Sequence, residues 1–111
     1  MKEIKAIIKP FMLEKVIDAL REMPGLSGVT ISPAHGLAVT GNMFDQVVKT
    51  KLEIIVSDQM VAQVVEIIQK AAHTGNPGDG RIFVIPVEET VRIRTGERNT
   101  HQEHGTSLET A

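Results

Sequence analysis

Ile4-Lys5-Ala6-Ile7-Ile8-Lys9-Pro10-Phe11-Met12-Leu13-Glu14-Lys15-Val16-Ile17-Asp18-Ala19-Leu20 is the stretch from which the fold is read, because the chain uses its pattern twice. At an offset of 48, Ile4, Ile7 and Ile8 align with Leu52, Ile55 and Val56. Met12, Leu13, Val16, Ile17 and Leu20 align in the same way with Met60, Val61, Val64, Val65 and Ile68. The first copy opens with Ile4, Ala6 and Ile8 alternating against Glu3, Lys5 and Ile7, which predicts a strand with a buried face. Pro10 stops that strand and suits the first turn of a helix, since its φ is already near the helical value. Leu13, Val16, Ile17 and Leu20 then recur at helical spacing, with Glu14, Lys15, Asp18 and Arg21 on the other side. Pro24-Gly25 ends the helix. In the second copy 51–56 alternates as a strand. Ser57-Asp58 is expected to cap a helix that carries Val61, Val64, Val65 and Ile68 to about Ala72.

A strand at 29–34 follows the first helix and an apolar strand at 82–87 follows the second. The predicted fold class is therefore α+β, a ferredoxin-like βαββαβ unit with a four-stranded antiparallel sheet and two helices on one face. The other face still needs burial, and assembly as a trimer around it is expected. A chain of 111 residues is one domain. With 41% hydrophobic residues but only 3% aromatic, its core is aliphatic and small. The net charge of −2 gives no reason to expect a nucleic-acid partner. The absence of cysteine excludes disulfides and thiol catalysis. No apolar run approaches membrane-spanning length and Met1-Lys2-Glu3 does not open a signal peptide, so the expected location is cytoplasmic.

Between 37 and 50 the periodicity fails, and this stretch reads as a functional loop. Thr40-Gly41-Asn42 is a turn signal. Met43, Phe44, Val47 and Val48 read as an exposed apolar patch that docks a partner protein. Thr74-Gly75-Asn76-Pro77-Gly78-Asp79-Gly80-Arg81 reads in two ways: as a helix-to-strand turn, or as a nest of backbone N–H groups for an anion. Asp79, its one carboxylate, has no evident partner. Val91-Arg92-Ile93-Arg94 alternates, which as an extended segment would put both guanidinium groups on one face. Loop and arginines together would hold a di- or triphosphate. From 98 to 111 the chain reads as a flexible polar tail.

Three segments carry a family resemblance. Ala6-Ile7-Ile8-Lys9-Pro10-Phe11, the 74–81 loop continued by Ile82-Phe83-Val84, and Val91-Arg92-Ile93-Arg94-Thr95-Gly96-Glu97 resemble the signature segments of the P-II nitrogen-regulatory signalling family, in its order and at nearly its spacing. The resemblance implies a P-II-like domain over 1–97, with a T-loop at 37–50, a B-loop at 74–81 and a C-loop at 88–97. It implies a homotrimer holding ATP or ADP between subunits, with AMP a third candidate. Thr74, Gly78, Asp79, Gly80 and Arg81 would surround the phosphates, and Arg92 and Arg94 would reach them from the neighbouring subunit. Gly28, Thr30, Gly36, Glu53 and Ile55 would line the base and ribose, and Ala38, where the family has a glycine, would also belong to the nucleotide site. The T-loop would signal energy or metabolic state to a target, either a membrane transporter or a metabolic enzyme. That loop is shorter here than in the family, and with no Tyr in the chain tyrosine uridylylation is chemically impossible. Lys49 matches the lysine that pairs with 2-oxoglutarate, while Thr40 replaces the glutamine that helps to bind Mg2+; both effectors stay open. The expectation is a regulatory protein with no catalytic residues, slow ATP hydrolysis being the furthest enzymatic reading. The alternative is a metal-responsive trimer using His101 and His104 of the tail.

Overall fold

The computed structural model describes residues 1–40 and 43–100; the side chains of 38, 40, 43–45 and 100 fall outside the description. Strand β1 (Lys2–Ile8) leads through a 3-10 turn (Pro10–Met12) into helix α1 (Leu13–Arg21). Strands β2 (Thr30–Thr40) and β3 (Met43–Val56) follow, then a second 3-10 turn (Asp58–Met60) and helix α2 (Val61–Ala72). Strand β4 (Gly80–Pro86) completes an antiparallel sheet of order β2-β3-β1-β4. Strands β5 (Glu89–Val91) and β6 (Arg98–Thr100) form a separate two-stranded sheet. The expected βαββαβ arrangement is present.

The repeat explains the core. Ile4 stands opposite Ile54 and Ala6 opposite Leu52 on the inner face of β1 and β3. These four, with Ile8 and Val56, bury against Val16 and Leu20 of α1 and Val64 and Ile68 of α2. Both helices therefore cover the same sheet face. Each fully buried aliphatic side chain contributes about 2 kcal/mol relative to exposure. Residues 3, 5 and 7 of β1 face the other way, and so do 51, 53 and 55 of β3. Among the described residues no helix covers that face.

Four expectations need correction. The 37–50 stretch is a ladder and not an irregular loop: β2 and β3 remain paired from Thr30↔Glu53 out to Thr40↔Met43. Periodicity reports burial of one face, and Leu37, Val39 and Val48 of this arm are all exposed, so the pattern carried no signal. The turn expected at 41–42 lies outside the described residues. Second, Val91-Arg92-Ile93-Arg94 is not extended: β5 ends at Val91, and 92–97 is a turn closed by Gly96 N–H to Arg92 O at 2.7 Å and Arg92 N–H to Glu97 O at 2.8 Å. Third, the tail does not begin at 98, because Arg98–Thr100 pairs with β5 and Arg98 Nη1 meets Glu89 Oε1 at 2.5 Å. Fourth, Ser57 occupies the cap position with extended backbone, but its side chain makes no capping hydrogen bond; its hydroxyl is buried and has no partner among the described residues. Asp58 instead receives the Met1 amino group at 2.5 Å.

Candidate functional site

The 74–81 loop is organised around one carboxylate. Asp79 Oδ2 accepts the backbone N–H groups of Thr74 at 2.8 Å and Gly75 at 2.9 Å. Asp79 Oδ1 accepts the Thr74 hydroxyl and pairs with Lys9 Nζ at 3.0 Å. Thr74 Oγ1 in turn accepts Asn76 N–H at 3.2 Å and Lys9 Nζ at 3.3 Å. The Thr74 hydroxyl and amide, with Lys9 and the Gly75 amide, hold the Asp79 carboxyl well below the usual carboxylate range. Asp79 is thus fully engaged, contrary to its sequence reading, and the amides of 74–76 are already satisfied. Among the described residues Asp79 engages no N–H group of 78–81. The loop stays close to β1 because residue 80 is glycine: a Cβ there would sit 1.8 Å from the Ile7 carbonyl oxygen, at a φ of +113°.

Strand register assembles the remaining residues. On the uncovered face Thr30 stands opposite Glu53, Ser32 opposite Lys51, Ala34 opposite Lys49 and Gly36 opposite Val47. Ile7 lies between Lys51 and Arg81, Lys5 between Glu53 and Phe83, and Glu3 between Ile55 and Ile85. Thr30, Gly36, Lys49, Glu53, Ile55 and Arg81 therefore share one face, and the glycine loop borders it where Gly80 pairs with Ile8. Lys49 Nζ donates to the Gly78 carbonyl. Lys51 approaches Glu53 at 3.8 Å. Among the described residues neither Lys49 nor Arg81 has a carboxylate partner, so this end of the face is electropositive. Glu3 has its carboxyl raised, first by a hydrogen bond with Glu53 and then by burial.

Other expected residues stand apart. Gly28 precedes β2 and borders a separate cleft of about 270 Å3 against Ile17, Leu20 and Arg21 of α1. Arg92 and Arg94 lie in the β5–β6 turn, where Arg92 Nη1 meets Glu97 Oε2 at 3.5 Å; they do not share a strand face. The side chains of Ala38, Thr40, Met43 and Phe44 lie outside the described residues, as do His101 and His104 with the metal-binding alternative. Val47 and Val48 are neighbours on a strand and point to opposite sides, so the expected four-residue patch is split. Val48 (53% exposed) joins Leu37 (61%) and Val39 (64%) on one face of the arm. Among the described residues no three His, Cys, Asp or Glu side chains converge as a metal site. Sequence reasoning missed Lys9, Ile7 and Phe83. Phe83 was recoverable, since it is two strand positions from Arg81, already assigned to the site.

The model of the family described as "Nitrogen regulatory protein P-II" matches residues 1–97. The nitrogen regulatory protein P-II of Azospirillum brasilense is 46% identical over 108 residues, covering 88% of this chain and 96% of the relative. That of Rhodospirillum rubrum is 44% identical with the same coverage. The nitrogen regulatory protein P-II 2 of Methanothermobacter thermautotrophicus is 48% identical over 107 residues, covering 87% and 92%.

Proposed function

The chain belongs to the nitrogen regulatory protein P-II family, and from that premise we propose that it binds ATP or ADP between the subunits of a homotrimer and relays energy or metabolic state to a partner protein. The observation that carries this reading is the meeting of Gly78, Gly80, Arg81 and Lys49 at one end of the uncovered sheet face. A guanidinium and an ammonium with no carboxylate partner among the described residues, beside a backbone held close by glycine, suit phosphate oxygens. Arg81 offers a two-toothed fork and Lys49 a mobile point charge. Thr30, Glu53 and Ile55 lie along the same face, where a ribose and base would extend. Arg92 and Arg94 would come from the neighbouring copy, their hairpin standing off the main sheet.

Nucleotides act here as effectors. Each would bind two states of the 37–50 arm with different affinity and so bias the arm toward one of them. Asp79, the loop's carboxylate, is engaged by Thr74, Gly75 and Lys9 and is not free to serve as a general base, which favours regulation over hydrolysis. Lys49 is the group that a 2-oxoglutarate carboxylate would engage. Among the described residues no helix is long and apolar enough to cross a membrane, in keeping with a cytoplasmic regulator of a transporter or enzyme.

Calorimetric titration with ATP, ADP and AMP, each with and without Mg2+ and 2-oxoglutarate, tests the reading. Sedimentation should give the mass of three chains. Arg81→Ala should weaken ATP binding about 10- to 100-fold, the worth of a charge-assisted phosphate contact. Wild-type protein that binds none of the three nucleotides would sink the proposal.

A further inference from the structure

We infer that Asp79 is a positioning residue, a built-in anion that fills the first half of the 74–81 loop and thereby aims the 78–81 half at the ligand. This deepens, and rests on, the nucleotide reading above.

A nest of N–H groups collapses onto whatever anion it can reach. Here the occupant belongs to the chain: one oxygen of Asp79 takes both the Thr74 and Gly75 amides, and the other takes the Thr74 hydroxyl and the Lys9 ammonium. Thr74 Oγ1 closes the network by accepting from Asn76 and Lys9. A ligand phosphate placed on the 74–76 amides would have to displace a half-buried carboxylate that already has four donors. Phosphate is therefore steered to the other end, where Lys49 meets the Gly78 carbonyl and Arg81 follows Gly80 at the start of β4. Lys9 is also explained: it neutralises Asp79, so the carboxylate can stand next to a phosphate site without repelling it. Gly80 fixes the geometry from below, since its missing Cβ lets the turn lie on the Ile7 carbonyl.

Asn and Ala substitutions separate positioning from direct contact. Asn can turn its amide oxygen to the Thr74 and Gly75 amides and preserve most of the turn; Ala preserves none of it. The expected order of ATP affinity is wild type, then Asp79→Asn, then Asp79→Ala, with the last weaker by about tenfold or more. The loss should be the same with and without Mg2+, and Thr74→Val combined with Asp79→Ala should add little to Asp79→Ala alone. In amide NMR spectra of the wild-type protein, ATP should shift Gly78, Asp79 and Gly80 while leaving Thr74 and Gly75 nearly unmoved. Thermal melts establish that each variant is folded. Three results would overturn the inference: Asp79→Ala binding ATP as tightly as wild type, a loss confined to Mg2+-containing solution, or Thr74 and Gly75 amides that shift as far as those of 78–80. The first two concern only variants of a protein that binds ATP. Failure of the wild type to bind would instead reject the nucleotide reading itself.

Discussion

A methyl group on residue 80 would meet the Ile7 carbonyl oxygen at 1.8 Å, on a backbone whose φ of +113° L side chains rarely adopt. Gly80→Ala should therefore destabilise the fold by about 2–4 kcal/mol, read from urea unfolding. Glu3 offers a test by pH. Its carboxyl is raised by the hydrogen bond with Glu53 and by burial, so the folded chain keeps a proton there that the unfolded chain releases. That contribution is complete below the ordinary glutamate value of about 4.3 and is lost as pH rises through the folded-state value. Glu3→Gln should flatten the fall in stability across that window. It should also raise stability near neutral pH, because Gln keeps a neutral donor toward Glu53 where an ionised Glu3 would be desolvated without one; unfolding at about pH 4 and about pH 7 checks both. Thr30, Glu53, Ile55 and Arg81 could be singled out before any coordinates, and strand alternation then fixed their common side. The Lys9–Asp79–Thr74 network could not, because it joins residues far apart in sequence through a turn whose glycine angles no pattern encodes.

Elements that bury one face could be read, and elements that bury neither could not. β1, α1, β3 beyond residue 50 and α2 each carry a periodic apolar row into the core. The β2–β3 arm projects past the end of β1, where Ile8 pairs with Thr50 as its last residue. Its apolar residues are divided between two open faces, which looks aperiodic in sequence. β5 and β6 are three residues each, too short to show a period, and only Gly96 in its left-handed conformation signals their turn. Because Leu37 and Val39 are exposed and outside the core, Leu37→Ser and Val39→Ser should each change folding stability by no more than about 0.5 kcal/mol. Thermal melts would show this, and a loss well above that value would mean the arm packs against the body in solution.

At the scale of the molecule, one sheet has a finished side and an unfinished one. The helices seal Ile4, Ala6 and Ile8 inside, while Ile7, Ile55 and Phe83 remain among charged neighbours on the other side. On the proposed reading, trimerisation on that side would bury these apolar groups. The strand order has a further consequence, in time and not in space. β1 is the inner strand, yet its two neighbours are made well after it: Lys2 pairs with Val56 and also with Pro86. At synthesis rates of about 5–20 residues per second, β1 leaves the ribosome on the order of ten seconds before β4 can flank it. Such non-local pairing also slows folding of the finished chain. Until α2 is made only α1 can cover the apolar row of Ile4, Ala6 and Ile8, and until β4 is made one edge of β1 stays unpaired and open to pairing with another chain.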